Sequence, residues 1–164
     1  MIFTLYPGWV TVVDVLAWFC ISLGVGYYFH VRPAVHFERE DWLTRERGWE
    51  KSGQLYRQTF HIMKWKGFLP DGSRLSKRGF RKKHLSERST EYFQTFILES
   101  RRAEWTHFVA LWFVPVFLIW NTGLDELFVG VYAVMFNVPC MMAQRYNRMR
   151  FRRILQRRNE TYDG

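Results

Sequence analysis

Apolar and charged positions are sharply segregated along this chain. Residues 9–30 form one long apolar run in which Asp14 is the only charged residue. At about 1.5 Å per residue, this run is long enough to cross a hydrocarbon core roughly 30 Å thick. The pattern therefore predicts a transmembrane helix over 9–30. Asp14 is expected either to face protein or water as a functional carboxylate, or to lie at a shallow position near the outer interface.

Two further apolar runs, 105–121 and 127–144, are joined by the turn-forming residues Asn121-Thr122-Gly123. Each run is shorter than the roughly 20 residues of a full crossing. The pair is predicted to form a helical hairpin that either crosses the membrane or dips into it and returns. Pro115 and Pro139 are expected to interrupt the two arms.

Positive charge follows the same segregation. All 24 Lys and Arg residues lie in two blocks, 32–102 and 145–158. Basic residues collect on the cytoplasmic side of a membrane, so both blocks are predicted to be cytoplasmic and the N-terminus to lie outside. Mixed basic and aromatic residues over 32–104 predict amphipathic helices in the headgroup layer. Residues 145–164 are predicted to form a basic cytoplasmic tail.

These elements predict an all-α integral membrane protein with one membrane domain over 1–164. About three membrane helices are expected, one N-terminal and two in the C-terminal hairpin, with interfacial amphipathic helices on the cytoplasmic side. The composition agrees, because 19% of the residues are aromatic and eight are Trp, which is unusual for a soluble domain. The expected location is the cell membrane, with the chain crossing it more than once.

Composition also narrows the function. The net charge of +9 would suit a nucleic-acid partner, but no zinc spacing, recognition-helix pattern or aromatic strand motif accompanies it, so none is expected. No serine elbow, phosphate-binding glycine loop or zinc-protease motif is present, and no metal site is predicted. Cys20 and Cys140 lie in apolar runs and are interpreted as packing residues. His36 and Asp41 have the His-x4-Asp spacing of one class of glycerolipid acyltransferases, a spacing that also arises by chance.

The clearest candidate for chemistry is Glu104 with His107, where the charged helix is predicted to enter the membrane. Residues three apart share a helix face and can pair. A carboxylate that orients an imidazole makes the histidine a competent general base. The alternative is a histidine at the membrane edge that a salt bridge satisfies and that has no catalytic role.

A second candidate is a polar stripe on the last apolar helix. Asn137, Gln144 and Arg148 are separated by seven and eleven residues, so the last two project within about 20° of Asn137. Polar groups on a membrane helix either bridge to other helices or line a functional cavity. Arg145 and Asn147 accompany the stripe at the predicted cytoplasmic boundary.

Two basic runs in the cytoplasmic block are candidates for phosphate binding. Lys64-Trp65-Lys66 precedes a predicted turn at Pro70-Asp71-Gly72-Ser73, and Arg81-Lys82-Lys83-His84 follows it. Such runs can hold the phosphates of a nucleotide-type donor or of lipid headgroups. Unspecific attraction to anionic lipid is the alternative, and it is favoured for 81–84.

Five short motifs, in unchanged order over roughly residues 36–158, together resemble the glycosyl-4,4'-diaponeurosporenoate acyltransferase family of carotenoid biosynthesis. They are Lys64-Trp65-Lys66, Asp71-Gly72, Arg102-Ala103-Glu104 with His107, Asn137-Val138-Pro139, and Gln144-Arg145-Tyr146-Asn147-Arg148. His84 followed by Leu85 also matches. The family pattern has Pro where this chain has Met149, a difference expected to alter how the tail leaves the membrane more than the chemistry.

The resemblance implies a small multi-pass membrane enzyme that esterifies the sugar 6-hydroxyl of a glycosylated carotenoid with a fatty acyl group. The donor would be an acyl-CoA or an acyl-carrier-protein thioester, with no other cofactor. The catalytic candidates are His107, Glu104, Asp71 and His84, although Asp71 could instead only shape its turn. The substrate-binding candidates are Lys64, Trp65, Lys66, Arg102, Asn137, Gln144, Arg145, Asn147 and Arg148.

The expected mechanism is direct transfer. His107, oriented by Glu104, removes the hydroxyl proton, and Arg145, Asn147 or Asn137 stabilises the oxyanion. This requires the imidazole and the guanidinium-amide cluster to meet beside the inner leaflet. Two alternatives stay open: an acyltransferase for another glycolipid or lipid acceptor, and a non-catalytic scaffold subunit on anionic lipid. The oligomeric state is not predicted.

Overall fold

The computed structural model describes residues 7–69 and 89–162, and every regular element within these ranges is helical. The predicted all-α class is therefore confirmed for this part of the chain. The described ranges contain six α-helices, α1 (Pro7–Val31), α2 (Val35–Glu38), α3 (Gln54–Gln58), α4 (Ile62–Trp65), α5 (Thr90–Leu111) and α6 (Leu124–Tyr162). Three 3₁₀ helices also lie in this part of the chain, at Gly48–Gly53, Lys66–Phe68 and Val114–Ile119.

The chain divides into two compact units. The first unit contains Met1–His36 and Arg102–Met141, and the second contains Phe37–Arg101 and Met142–Gly164. Helices α5 and α6 each contribute residues to both units. The division follows composition, because the apolar runs belong mainly to the first unit and the charged blocks to the second.

Helix α1 occupies the position of the transmembrane helix predicted over 9–30. Among the described helices, α1 and α6 are long and apolar enough to cross a membrane. Their large apolar side chains are widely exposed, as expected of surfaces that meet lipid; examples are Leu16, Phe19, Leu23, Phe128 and Met135. A third membrane helix and the interfacial position of the short helices stay predictions.

The predicted hairpin has a different form from the one expected. Its first arm is α-helical only as far as Leu111, and a 3₁₀ helix with Pro115 in its first turn follows. Proline has no N–H and fixes φ, so it suits the first turn of a new helix better than the interior of α5. The second arm is the beginning of α6, which continues through Pro139 to Tyr162. The expectation that Pro139 would interrupt this arm was wrong, since bilayer-type helices tolerate proline when nearby groups satisfy the freed backbone.

Aromatic packing fixes α1 against the rest of the first unit. Trp18, Phe117 and Ala133 form its buried cluster, and the Trp18 and Phe117 ring centroids are 5.7 Å apart. Asp14 accepts hydrogen bonds from Trp120 Nε1 and Asn121 Nδ2, each at 2.7 Å. A carboxylate within an apolar helix is therefore satisfied by the turn that precedes α6, which gives Asp14 a structural role.

A fully buried carboxylate, Glu50, organises the second unit. Arg145 donates to both of its oxygens, from Nε at 2.8 Å and from Nη2 at 3.0 Å. The Tyr56 hydroxyl and the Arg47 backbone N–H also donate to it. Burial raises the pKa of Glu50, but the hydrogen bonds from Arg145, Tyr56 and Arg47 outweigh it, and the pKa lies below its ordinary value.

Guanidinium groups also hold the irregular segment between α2 and the 3₁₀ helix Gly48–Gly53. Arg145 donates to the carbonyls of Leu43 and Arg45, and Arg148 donates to the carbonyl of Thr44 at 2.9 Å. From α5, Arg101 donates to the carbonyls of Phe37 and Glu38. The carbonyls of this segment and of the end of α2 need hydrogen-bond donors, and the arginines of two long helices supply them.

We expect Glu50→Gln to lower the free energy of unfolding by about 3 to 5 kcal/mol, because it leaves the Arg145 guanidinium buried without its counter-charge. Chemical denaturation in detergent micelles would measure this. The matched control is Glu91→Gln, which neutralises an exposed glutamate and should change stability little. Equal effects of the two substitutions would contradict the role given to Glu50.

The lowered pKa of Glu50 also predicts acid sensitivity. A carboxyl whose pKa is lower in the folded state stabilises the protein fully above its unfolded pKa, near 4.5, and loses that contribution as the pH falls through the folded value. Unfolding midpoints between pH 7 and pH 3 should therefore fall more steeply for the wild type than for Glu50→Gln. Parallel pH profiles would show that another carboxyl controls acid unfolding.

Candidate active site

The structure describes eleven of the thirteen predicted site residues, while Asp71 and His84 lie outside the described residues together with the predicted turn at 70–73. The eleven fall into different units. Arg102, Glu104, His107 and Asn137 belong to the first unit. Lys64, Trp65, Lys66, Gln144, Arg145, Asn147 and Arg148 belong to the second unit.

His107 and Asn137 form a hydrogen-bonded pair between α5 and α6. Nδ1 of His107 lies 2.9 Å from Oδ1 of Asn137, and Nδ2 of Asn137 donates to the carbonyl of Ala133 at 2.9 Å. A carbonyl can only accept, so the Ala133 contact orients the amide with its oxygen toward the histidine. Nδ1 must then carry the proton, and Nε2 carries the free lone pair of a base. Among the described residues, Nε2 has no hydrogen-bond partner.

Glu104 lies one helical turn before His107 on α5 and is fully buried. The sequence predicted that Glu104 orients the His107 ring, but the structure shows Nδ1 of that ring bonded to Asn137. An orienting role of Glu104 stays a prediction. Arg102 lies two residues before Glu104 on α5, and its Nη2 donates to the carbonyl of Arg32 at 3.4 Å. Asn137 was predicted as an oxyanion donor, but both polar ends of its amide are already engaged.

An apolar groove of about 650 Å³ runs along α1 and α6 in the first unit. Its walls are mainly aromatic and aliphatic, and Asp14 and Asp125 lie among its lining residues. Phe136 lines it and directly precedes Asn137 in α6. A groove of this size and chemistry suits a lipid chain. Its lining also includes Val15, Trp18, Phe19, Phe128 and Tyr132.

Arg145 and Arg148 are largely committed to contacts within the second unit. The contacts of Arg145 join it to Glu50 and the 43–45 backbone. Arg148 is buried and contacts the Thr44 carbonyl and, at 3.5 Å, Ser100 Oγ. Such contacts identify positioning residues more readily than groups that wait for a substrate.

Lys66 and Asn147 also meet in the second unit. Lys66 Nζ donates to Asn147 Oδ1 at 2.9 Å and lies 4.9 Å from the centroid of the Tyr146 ring. Burial and the nearby charge of Arg150 lower the pKa of Lys66. Trp65 is fixed by a hydrogen bond from its Nε1 to the carbonyl of Phe60. Gln144 is half-buried on α6.

Lys64 is exposed and lines a second groove, which is strongly basic and has a volume of about 530 Å³. The other basic side chains around it are Arg57, His61 and Arg150. Met63 and Tyr146 complete its lining. The sequence singled out only Lys64 of this group.

The His36 and Asp41 spacing has a local explanation at Asp41. Its Oδ1 accepts hydrogen bonds from the backbone of Leu43 and Thr44 and from the Thr44 hydroxyl. This is an Asx-type turn that shapes the start of the irregular segment. His36 contacts the carbonyl of Pro33 through Nδ1. These contacts support the interpretation of the spacing as chance.

Sequence reasoning missed Glu50, Tyr56 and Arg101. The available signal was indirect: Arg145 and Arg148 alternate with apolar residues on a helix, and buried arginines need acceptors. It could not name the acceptor, because Glu50 lies 95 residues from Arg145.

Comparison with known proteins identifies the family. The family model described as glycosyl-4,4'-diaponeurosporenoate acyltransferase matches residues 39–157. A relative of that name from Staphylococcus aureus (strain USA300) is 31% identical over 151 residues, which is 89% of this chain and 90% of the relative. The same-named proteins of the bovine strain RF122 / ET3-1 and of strain Newman are each 30% identical, with the same coverage. No solved structure matches the chain.

The family match spans the two helices that carry His107 and Asn137 as well as the segment that contains Glu50. The match covers most of the chain, and the relatives with the same name cover it too, so the similarity is not limited to a short motif. The chain therefore belongs to the glycosyl-4,4'-diaponeurosporenoate acyltransferase family, and its class of activity is acyl transfer.

Proposed function

We propose that this chain transfers a fatty acyl group from a thioester donor to the sugar 6-hydroxyl of a glycosylated carotenoid. The observation that carries the proposal is the His107–Asn137 pair, which leaves Nε2 as the basic nitrogen of the neutral imidazole, in the same unit as a lipid-sized groove. The relatives are named for acylation of glycosyl-4,4'-diaponeurosporenoate, and we extend that acceptor to this chain.

The proposed reaction begins when His107 Nε2 takes the proton of the sugar hydroxyl. The hydroxyl oxygen attacks the thioester carbonyl, and a tetrahedral oxyanion forms. When the oxyanion collapses, the carbon–sulfur bond breaks and the departing thiolate takes the proton from His107. Asn137 keeps Nδ1 protonated throughout, and the buried Glu104 is proposed to stabilise the imidazolium that forms transiently.

The apolar groove provides the lipid binding that this reaction needs. Acyl chains and polyenes both partition into a bilayer, and α1 and α6 expose the apolar surfaces expected there. We assign the groove to one of these chains. Lys64, Lys66, Arg102 and Asn147 stay the candidates for binding the polar parts of the substrates.

We further propose that the protein lies in the cell membrane with its N-terminus outside and its basic C-terminus in the cytoplasm. The two helices that could cross a membrane support a membrane location. The orientation is proposed from the distribution of Lys and Arg, which avoid residues 1–31 and 103–144.

Purified protein in detergent, supplied with a labelled acyl thioester and a glycosylated C30 carotenoid, should yield the sugar ester, which mass spectrometry would identify. A scaffold subunit would form no product at any concentration. Product formed only with a non-carotenoid glycolipid would favour the alternative acceptor, because the groove chemistry suits an acyl chain as well as a polyene.

We expect His107→Ala to lower kcat for ester formation by about 100-fold or more, since it removes the general base. The KM values should change little, and the thermal unfolding midpoint should stay near that of the wild type. His30→Ala is the matched control, because His30 is an exposed histidine of the same unit. Near-normal activity of His107→Ala would refute the assignment.

We expect Asn137→Ala to lower kcat by about tenfold, because the loss of one hydrogen bond frees both the tautomer and the orientation of the imidazole. Asn137→Asp retains an acceptor for Nδ1 and should restore part of the lost rate. A purely structural role would predict similar kcat values for the two variants and a parallel loss of stability. Steady-state kinetics with unfolding measurements would separate these outcomes.

A further inference from the structure

The basic groove is a concave surface formed by α3, α4, the link between them and α6. We define it by its basic side chains Arg57, His61, Lys64 and Arg150, with Met63 and Tyr146 as the less polar walls. All of its residues belong to the second unit. The four cationic or titratable side chains are exposed, and the Tyr146 side chain is buried.

Positive charge in the basic groove lacks local compensation. Among the described residues, no ion pair joins Arg57, Lys64 or Arg150 to a carboxylate. Elsewhere in the second unit the arginines have acidic partners: Arg145 pairs with Glu50, and Arg152 pairs with Glu40. Converging like charges repel one another unless an anion joins them.

Besides burial, the positive charge of the groove also lowers the pKa of a neighbouring lysine, Lys66. The pKa of Lys66 is lowered by burial and then by the positive charge of Arg150. Lys66 therefore stands close to the groove and adds to its positive potential. An anion bound beside Arg150 would relieve this repulsion.

The backbone at the centre of the groove is unusual. His61 has φ 47° and ψ 38°, a left-handed conformation that costs a non-glycine residue free energy. The conformation ends α3 and starts α4 within a few residues, which brings Arg57 and Lys64 to one surface. His61 Nδ1 lies 3.2 Å from the carbonyl of Thr59, and since a carbonyl only accepts, Nδ1 is the donor.

The wall formed by Tyr146 is closely packed and buried. Its hydroxyl contacts Met63 Sδ at 3.4 Å. Behind the ring lies Gly53, whose φ is 91° and where an added Cβ would lie 3.3 Å from Tyr146 Cδ2. The groove therefore has a packed aromatic wall as well as its basic side chains.

We propose that the basic groove binds the phosphate groups of the acyl donor, a phosphopantetheine thioester. Two arginines and a lysine can surround phosphate oxygens with charge-assisted hydrogen bonds, and Met63 and Tyr146 give a less polar surface for the remainder of the donor. The phosphodiester of an acyl carrier protein and the phosphates of coenzyme A share this chemistry. The identification of the ligand as an acyl donor rests on the proposed function.

The test is direct binding of coenzyme A to the full chain in a neutral detergent, measured by calorimetry. Arg57→Gln and Arg150→Gln should each weaken the affinity by about tenfold or more, since each removes charge-assisted hydrogen bonds to phosphate. Arg39→Gln is the matched control, because Arg39 is an exposed arginine of the same unit outside the groove. Lys64→Gln is a further variant if either arginine substitution lowers the unfolding midpoint.

Three additional measurements decide the outcome. The KM for acyl-CoA and for acyl carrier protein should rise in the groove variants by a similar factor, whereas turnover of acyl-pantetheine, which has no phosphate, should not change.

Coenzyme A binding that weakens in the variants, even where the wild type forms no ester, would support the groove and contradict the proposed function. Ester formation with unaltered KM values and coenzyme A affinity in the variants would overturn the groove proposal alone. Variants that lose binding to anionic vesicles but retain coenzyme A affinity would identify a lipid headgroup site and overturn it as well.

Discussion

The buried contact between Glu50 and Arg145 is the interaction on which the second unit depends. An ion pair removed from water loses hydration free energy that only close geometry and further hydrogen bonds can offset. Both are present, because the guanidinium spans the two carboxylate oxygens and Tyr56 and the Arg47 amide donate as well. This contact fixes the 3₁₀ helix Gly48–Gly53, which contains Glu50, to α6.

Residues 144–148 of α6 hold the irregular segment in place and also form part of the surface of the second unit. Arg145 and Arg148, three residues apart, donate to the backbone of the segment. Tyr146 lies on another face of α6, packs against Gly53 and forms a wall of the basic groove. Asn147 Oδ1 accepts a hydrogen bond from the Lys66 ammonium. This short stretch of α6 thus stabilises the unit and shapes its surface. Its motif in the sequence therefore contains structural residues as well as candidates for binding.

The sequence was informative where the deciding interactions are local. The helix over 9–30 and the turn at Asn121-Thr122-Gly123 were predicted correctly, since run length and turn residues determine them directly. Gly123 has the positive φ that such a turn needs. Pairings across long separations were not predictable. Glu50 is one of several acids in its block, and nothing in its neighbours marks it as the partner of Arg145. The Asn137 contact of His107 was missed for the same reason, because the two residues lie on different helices.

The different partners of Arg145 and His107 follow from their charges. Arginine stays ionised when buried, so its charge needs compensation, and for Arg145 the Glu50 carboxylate provides it. A catalytic histidine must be neutral before it takes a proton, and an amide can orient it without adding a permanent charge to an apolar unit. Asn137 meets this need, because its own position is fixed by the Ala133 carbonyl of the same helix. The orientation of the proposed base is thereby built into α6, and it is set before a substrate binds.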